Sequence, residues 1–492
     1  MTPGGMNGSM PNLLMIVADQ FRHDCLGANN SLPVRTPNLD RLAAEGMRFE
    51  HAYTTLPACC PARQAMLSGR RPESFGSLWN YNGGLPTGWL PLTIPTWSVQ
   101  LKTRGYLTGF VGKWQVNPEY GPENFGFDDV VLDKTYVKHR EERYPEKMPL
   151  RAGWLGSPDD VRLEEARTHW MADQAGDMIR RFAGLDGSGP ARLHEKRQPW
   201  LVRLDFPEPH LPCTPAAPFA GMYPPDEISP WGSFDETFEE KPYIQHQQLL
   251  SWGIENYSWK EWSVYLSNYF GMVSQVDDAI GKVLDVLKQT GQEEDTLVLF
   301  TSDHGDMAGG HRMMDKHYIM YDDVVRVPFV LRWPGKVAAG VRCGPFIYGG
   351  LDMAPTLLDL ADILSDAQDA AHRKEADRYH GRSLVPLFSG SMPGDWRKEV
   401  VCTYNGQQFG LYTQRMIRTS RWKYVWNTTD IDELYDLDND PHELKNRIRS
   451  PELAPVLKDL RIRLYDILIQ DGDGLVRTEW MRRQLLEGEK LS

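Results

Sequence analysis

The sequence predicts an α/β protein with a large, mostly parallel β-sheet flanked by helices and a smaller α+β domain at the C-terminal end. Apolar, strand-like runs alternate with helical patterns through the first 390 residues. Four of these runs end in polar residues, as parallel strands do where they bring side chains to one edge of a sheet. After about residue 390 the pattern changes to short strands followed by one helix.

Polar side chains follow the four apolar runs that have the composition of buried strands. The runs cover residues 13–18, 106–111, 201–206 and 297–300. They are followed, in chain order, by Asp19 and Gln20, by Lys113, by the tetrapeptide PEPH that ends in His210, and by the hexapeptide TSDHGD that begins at residue 301. Because the carboxyl ends of parallel strands meet at one edge, we expect these polar residues to lie together at a ligand-binding edge.

Helices are predicted between the strands. Aliphatic residues recur at spacings of three and four over residues 273–287, and Gly291 is the predicted stop of that helix. Residues 120–170 and 207–262 have weak periodicity and are rich in Pro, Trp and charge. We expect these two excursions to run over the site end of the sheet and to shape the substrate pocket.

Two domains are expected for a chain of 492 residues, because a single hydrophobic core rarely grows to that size. We assign residues 1–390 to a large catalytic domain and residues 391–492 to the small α+β domain. Short strands with turns begin the small domain, and a helix is predicted over about residues 450–470.

Composition and charge exclude several classes of protein. The chain is 25% charged and 41% hydrophobic, which is typical of a globular protein, and its net charge of −13 argues against a nucleic-acid partner. The N-terminal segment has no basic stretch, and its apolar run is too short for a secretory signal or a membrane span, so we expect a cytoplasmic protein without a membrane partner. Six scattered cysteines do not form a disulfide framework.

Asp19, Gln20, Asp303 and His304 form a candidate metal site, because all four directly follow predicted strands. Oxygen-rich ligation of this kind is typical of a hard divalent cation. Taken singly, an acid or a histidine after a strand is explained as well by a loop cap. Their grouping at one edge of the sheet favours the metal site.

Arg63, Lys113, His210 and Lys316 form a second candidate group, which is cationic. They lie near the same predicted strand ends and could neutralise an oxyanion that also contacts the metal. Singly, each is explained as well by a solvated surface charge, since the chain has 54 Lys and Arg residues in all.

A set of short segments extends over nearly the whole chain. The segment CCPARQAMLSGR, residues 59–70, places Cys59, Pro61 and Arg63 in a Cys-x-Pro-x-Arg pattern ahead of a turn of small, glycine and basic residues. The others are LLMIVADQ, TPNLDRLAAEGMRFEHAYT, GYLTGFVGKW, PHLP, TSDHGDMAGGH, VRVPFVLRWPG, LDMAPTLLDLA and, in the C-terminal part, WKYVWN followed by ELYDLDNDPHEL. In this order the segments resemble those of the type I, formylglycine-dependent sulfatase family of the alkaline phosphatase superfamily.

The resemblance implies an alkaline-phosphatase-like fold and the hydrolysis of sulfate monoesters, with a small-molecule or saccharide sulfate ester as the substrate. It implies one divalent cation, Ca²⁺ in the first place with Mg²⁺ or Mn²⁺ as alternatives. The ligands that it implies are Asp19, Gln20, Asp303 and His304.

The resemblance also implies that a maturation enzyme converts Cys59 to formylglycine and recognises Pro61 and Arg63. One hydroxyl of the hydrated aldehyde then attacks sulfur, the alcohol leaves with a proton from His210 or Lys316, and the second hydroxyl expels sulfate. Cys60 occupies the variable position of the signature and is expected to be a small packed residue.

Two residues depart from the usual sulfatase pattern. Gln20 stands where the family usually has an aspartate, and Gln115 ends the segment GKWQ where the family usually has a histidine. Phosphonate monoester hydrolases, which are close relatives of sulfatases, share the Asp-Gln pair and a similar signature. A hydrolase of phosphonate monoesters or phosphodiesters is therefore the main alternative, and a catalytically silent binding protein is a third, favoured by Gln115 alone and opposed by the intact maturation signature.

Three polar residues are expected to contact the substrate: Gln115, Asn80 and Asn82. The two asparagines follow the predicted nucleophile helix, and Gln115 is expected to hydrogen-bond the nucleophile without shuttling protons. The sequence leaves open which alcohol the substrate carries and whether the protein is a monomer or a homo-oligomer.

Overall fold

The computed structural model describes residues 10–84, 86–145, 153, 155–185, 198–364, 379–407 and 411–490. Within these ranges the chain forms two β-sheets of different size. Helices cover both faces of the larger sheet, and no helix in these ranges is long and apolar enough to cross a membrane.

The larger sheet is built from eight strands in the described ranges. They span Asn12–Asp19 (β1), Met47–Tyr53 (β2), Leu107–Gly112 (β3), Asp129–Leu132 (β4), Trp200–Pro209 (β5), Thr296–Ser302 (β6), Phe329–Arg332 (β7) and Val341–Tyr348 (β8). Their order is β4-β3-β5-β1-β6-β7-β2-β8. Every neighbouring pair is parallel except the two that β7 makes with β6 and β2. The predicted mostly parallel sheet is confirmed.

The α-helices of the larger unit lie between and beside these strands. They span Pro37–Glu45 (α1), Cys59–Ser68 (α2), Trp97–Thr103 (α3), Asp133–Arg143 (α4), Arg167–Phe182 (α5), Tyr243–Trp252 (α6), Trp259–Gln289 (α7), Asp322–Val325 (α8) and Met353–Leu360 (α9). Helices α1, α5 and α7 contribute to the hydrophobic core on one face of the sheet, and α2, α3 and α9 contribute to the core on the other.

Strand β1 shows why the predicted strands read as continuous apolar runs. Leu14 and Ile16 belong to the core with α7, whereas Leu13 and Met15 belong to the core with α2. Side chains alternate between the two faces of a strand, and helices cover both faces here, so every position from Leu13 to Ala18 is apolar. The polar residues therefore begin where the strand ends.

The four predicted strands correspond to β1, β3, β5 and β6, but some of them are longer than predicted. Strand β5 continues through Pro209, so Glu208 belongs to the strand rather than to the following loop. Helix α7 begins at Trp259 and runs for 31 residues. The excursions contain β4, α4 and α6, which weak periodicity did not predict. Helix α6 has almost no segregation of apolar and polar faces, so sequence periodicity could not reveal it.

The C-terminal part of the chain forms the predicted smaller α+β unit. Its antiparallel strands span Glu399–Gln407 (β9), Leu411–Thr419 (β10), Trp422–Asn427 (β11) and Glu433–Asp436 (β12), in the order β12-β11-β10-β9. Its helices span Ala454–Gln470 (α10) and Glu479–Glu487 (α11), and both pack on this sheet through a separate hydrophobic cluster. The placement of the domain boundary at residue 391 stays a prediction.

Candidate active site

The polar residues that follow the predicted strands meet at one edge of the large sheet. Asp19 ends β1, Lys113 follows β3, and His210 follows β5. Asp303 and His304 follow β6 and lie beside Asp19 in one buried cluster. The parallel strands thus bring together residues that are far apart in the chain.

Cys59 is the first residue of helix α2, which is buried along its whole length. The Cys59 sulfur lies 3.3 Å from His304 Nε2 and 3.8 Å from Asp19 Oδ1. The backbone N–H of Cys60 donates to the side-chain oxygen of Asn80 at 2.9 Å, which fixes the start of the helix. Because helix N-termini carry a partial positive charge, Cys59 lies where an anion is favoured.

The guanidinium of Arg63, one turn further along α2, is completely buried among carboxylates. Its nitrogens lie 2.9 Å from Asp19, 2.6 Å from Asp205 and 3.0 Å from Asp303. Arg203 binds Asp205 from the other side with two hydrogen bonds of 2.8 and 2.7 Å. These charge-assisted contacts hold α2 against β1, β5 and the end of β6.

Asp19, Asp303 and His304 form a donor set that fits a divalent cation. Their ligand atoms and the Cys59 sulfur all lie within 4.8 Å of one another, and all four residues are buried. His304 Nδ1 donates to the backbone carbonyl of Gly305 at 2.9 Å, so the lone pair of Nε2 points into the cluster. Two carboxylates and one imidazole are suitable ligands for a hard or borderline cation.

Gln20 connects this donor set to Lys316. Its backbone N–H donates to Asp303 at 3.1 Å, and its side-chain oxygen accepts a hydrogen bond of 2.8 Å from Lys316. Its side-chain nitrogen donates to Asp306 at 2.5 Å and to Asp315 at 3.1 Å. An amide satisfies all of these contacts, whereas an aspartate would add a third negative charge beside the carboxylates of Asp306 and Asp315. The role of Gln20 as a metal ligand stays a prediction.

Lys316 and His210 form a proton-holding pair at the same edge. Lys316 Nζ donates to His210 Nε2 at 2.7 Å, and His210 Nδ1 donates to the carbonyl of Leu211 at 2.6 Å. The carbonyl can only accept and the ammonium can only donate, so the imidazole of His210 is neutral in this arrangement. The available proton is therefore on Lys316.

The loop that carries Lys316 has an unusual backbone. Five residues of the loop that are not glycine have positive φ angles: Ala308, His311, Arg312, Asp315 and His317. His311 donates to Glu236 at 2.7 Å and stacks on Tyr321 with ring centroids 3.7 Å apart. Such strained backbone persists only where the surrounding contacts hold it in place, and it is frequent at functional sites.

The charges of the site set the protonation of its groups. Burial alone would raise the pKa of the Asp19 carboxyl, but the nearby cations, Lys113 first among them, hold it well below its usual range. Burial and the charge of Asp19 would raise the pKa of the Cys59 thiol, yet Lys316 and Lys113 lower it well below its ordinary value. Burial would lower the pKa of Lys316, but Asp315 and the other anionic groups raise it. Lys316 therefore keeps its proton.

Comparison with known families identifies the chain. The family model "Sulfatase" matches residues 11–363, and the model "N-sulphoglucosamine sulphohydrolase, C-terminal" matches residues 309–470. The chain belongs to the sulfatase family. It is accordingly a sulfuric ester hydrolase with an alkaline-phosphatase-like fold.

Individual relatives and solved structures resemble this sulfatase along nearly its whole length. An arylsulfatase of Clostridium perfringens is 27% identical, with 98% of each chain covered. An N-acetylglucosamine-6-O-sulfatase of Bacteroides thetaiotaomicron is 26% identical, with 92% of this chain and 85% of that protein covered. The crystal structure of a phosphonate monoester hydrolase of Agrobacterium radiobacter superposes with a TM-score of 0.76 at 24% identity, with 94% and 96% of the two chains covered.

The residues predicted to contact the substrate occupy three different environments. The Asn80 side-chain oxygen serves the start of α2, and Asn82 is exposed. The side-chain oxygen of Gln115 is buried and has no hydrogen-bond partner among the described residues. Contact of any of the three with substrate stays a prediction.

Sequence reasoning missed four charged residues of this sulfatase site: Arg203, Asp205, Asp306 and Asp315. A signal for the first two was available, because they interrupt the apolar run LVRLDF of a strand that is buried on both faces. Asp306 stands within the quoted segment TSDHGD, and Asp315 directly precedes Lys316.

Cys59→Ala is predicted to abolish sulfate ester hydrolysis, whereas Cys60→Ala keeps most of it. Only Cys59 reaches the cluster of Asp19 and His304, and burial raises the pKa of the Cys60 thiol to about 12. Both variants should be assayed on 4-nitrophenyl sulfate after expression with a maturation enzyme. An inactive Cys60 variant beside an active Cys59 variant would reverse the assignment.

Gln20→Glu is predicted to lower kcat/KM by about tenfold or more, because it replaces the donor to Asp306 and Asp315 with a third carboxylate, which is repelled by both and so shifts the acceptor that positions Lys316. The matched control is Gln289→Glu, the same change at an exposed position of α7. Bound metal should be measured alongside the rate. A Gln20 variant as active as the control would show that the amide does not position Lys316.

Proposed function

We propose that this sulfatase hydrolyses sulfate monoesters with a formylglycine made from Cys59 as its nucleophile and one divalent cation as its cofactor. The proposal rests on one observation: the candidate nucleophile and the candidate metal ligands lie at the same place. The sulfur of Cys59 lies in the same buried cluster as the donor atoms of Asp19, Asp303 and His304, all within 4.8 Å. A nucleophile and a cation would therefore act on the same sulfate group.

Asp19, Asp303 and His304 would hold the cation. When bound, it would supply positive charge that offsets the negative charge of the sulfate group and of the nucleophile. Ca²⁺ fits the carboxylate donors, with Mg²⁺ and Mn²⁺ as alternatives. The contacts from Arg63 and Lys113 keep Asp19 ionised and oriented, at 2.9 and 2.6 Å.

Cys59 would be converted by a maturation enzyme, whose access to it is restricted. Cys59 is 2% exposed in the folded chain, so we infer that conversion precedes the packing of α2. As a hydrate, formylglycine supplies one hydroxyl that attacks sulfur and a second whose deprotonation releases sulfate. A serine could supply only the first.

The remaining cations bind the sulfate group and assist the departure of the alcohol. Lys113 brings positive charge beside Asp19, and Lys316 brings it beside Gln20. Lys316 carries the proton that the departing oxygen needs, and His210 holds its ammonium in place at 2.7 Å.

Hydrolysis of phosphonate monoesters or phosphodiesters is the second candidate. The fold shared with a phosphonate monoester hydrolase and the glutamines at positions 20 and 115 favour it. Both kinds of substrate carry one negative charge, so the number of cations in the site does not separate them. The match of the sulfatase family model to residues 11–363 favours sulfate.

A substrate panel is predicted to give the highest kcat/KM for a sulfate monoester. The matured enzyme should be tested on 4-nitrophenyl sulfate, a monosaccharide sulfate, a phenyl phosphonate monoester and bis(4-nitrophenyl) phosphate. Cys59→Ala protein, purified in the same way, corrects for contaminating hydrolases. A higher kcat/KM for either phosphorus substrate would replace the sulfatase proposal with the second candidate.

Lys316→Ala is predicted to lower the rate on an alkyl sulfate by on the order of 10²–10⁴-fold, and the rate on 4-nitrophenyl sulfate by much less. A basic alkoxide needs a proton as it leaves, whereas nitrophenolate does not. Lys113→Ala is the matched control, because Lys113 binds Asp19 and does not contact His210, so its loss should be similar for both substrates. If Lys316→Ala lowers the rate on both substrates by the same factor, as expected for Lys113→Ala, Lys316 is not the acid.

A further inference from the structure

A large cavity opens beside Lys113 and His210. Its volume is about 850 Å³, and it is lined by residues of helices α4, α5 and α7 and by the end of β5. Residues of both excursions, 120–170 and 207–262, contribute to its walls. Because the cavity adjoins Lys113 and His210 of the site, it offers space for the alcohol part of a bound sulfate ester.

Glu208 and Arg167 form an ion pair in the wall of this cavity. Arg167 Nε donates to Glu208 Oε1 at 2.5 Å. The other carboxylate oxygen, Oε2, is buried and has no hydrogen-bond partner within the described part of the chain, although Glu208 is only 4% exposed. The two terminal amino groups of Arg167 make no hydrogen bond to any described residue, and its side chain is 36% exposed.

Three other polar residues of the cavity wall already have hydrogen-bond partners. Arg140 and Asp159 bind each other through two hydrogen bonds of 2.6 and 2.9 Å. Gln275 accepts from the backbone of Ala216 at 2.7 Å and donates to Thr168 at 2.9 Å. A buried carboxylate oxygen without a partner is costly, so Glu208 Oε2 stands out as an acceptor prepared for a ligand.

Charge narrows the class of group that this pair can bind. A cation beside Glu208 Oε2 would also face the Arg167 guanidinium, and an anion beside Arg167 would face Glu208. A neutral hydroxyl avoids both repulsions, because it can donate to the carboxylate and accept from the guanidinium. Two adjacent hydroxyls can use Oε2 and the terminal amino groups together.

We propose that Glu208 and Arg167 form a specificity subsite for adjacent hydroxyl groups on the alcohol part of the substrate. The substrate class is therefore the sulfate ester of a polyol or saccharide. Glu208 lies two residues before His210, which places the subsite next to the group that holds the acid Lys316. This inference rests on the proposed sulfatase function for its kinetic test and not for its binding test.

The kinetic test compares Glu208→Gln with the wild type. Glutamine keeps an oxygen for Arg167 but replaces the acceptor Oε2 with an NH₂ donor. The probes are D-glucose sulfated at oxygen 2, 3 or 6 and 4-nitrophenyl sulfate. For the best glucose sulfate, the ratio of its kcat/KM to that of 4-nitrophenyl sulfate should fall by about 10- to 100-fold. An unchanged ratio would overturn the proposal.

The matched control is Glu141→Gln, which removes the charge of an exposed carboxylate in the same cavity wall and should leave the ratio unchanged. Removal of one hydroxyl from the substrate supplies a test that does not depend on the folding of a variant. For a deoxyglucose sulfate that lacks a bound hydroxyl, kcat/KM should fall by about tenfold or more with the wild type, and by less with Glu208→Gln. Equal losses with both enzymes at every hydroxyl would overturn the proposal.

Calorimetry with Cys59→Ala protein gives the binding test. This protein should bind at least one glucose sulfate, and the added Glu208→Gln change should weaken binding by about 10- to 100-fold. Absence of binding to all three glucose sulfates, or a larger loss for choline sulfate than for glucose sulfate, would overturn the subsite. Glu208-dependent binding without turnover of any sulfate ester by matured wild type would support the subsite and contradict the proposed function.

Discussion

The buried guanidinium of Arg63 is the interaction on which the site depends. It joins carboxylates from three strands, Asp19 of β1, Asp205 of β5 and Asp303 after β6, at distances from 2.6 to 3.0 Å. Three carboxylates gathered around one point repel one another strongly in a medium of low dielectric constant unless a fixed cation lies between them. Because Arg63 lies one turn after Cys59 on α2, the contact that neutralises these carboxylates also places Cys59 beside Asp19 and Asp303.

A second set of contacts, made by Gln20, links the metal-donor cluster to Lys316. The neutral amide of Gln20 accepts from Lys316 and donates to Asp306 and Asp315, so it joins groups of opposite charge without adding a charge of its own. Lys316 keeps its proton and His210 remains neutral beside it. The site thus contains both a donor set that fits a cation and a protonated lysine, and the Cys59 sulfur lies in the donor set.

Sequence patterns predicted the sheet and the groups at its edge because strands buried on both faces are continuously apolar, and polar residues mark their ends. The same reasoning could not find the partners of Gln20, since Asp306 and Asp315 belong to a loop with irregular backbone. It also placed Glu208 in a loop, because the prolines on either side of it conceal the continuation of β5. Local patterns carry no information on such long-range pairs, which depend on packing.

If activity arises from a formylglycine at position 59 within this buried cluster, it must follow the conversion of that residue. Mass spectrometry of the peptide that contains residue 59, in preparations matured to different extents, measures the conversion, and the specific activity of each preparation is measured on its best sulfate ester. Activity should be proportional to the converted fraction and extrapolate to zero for the unconverted thiol. Full activity in protein whose Cys59 remains a thiol would contradict this expectation.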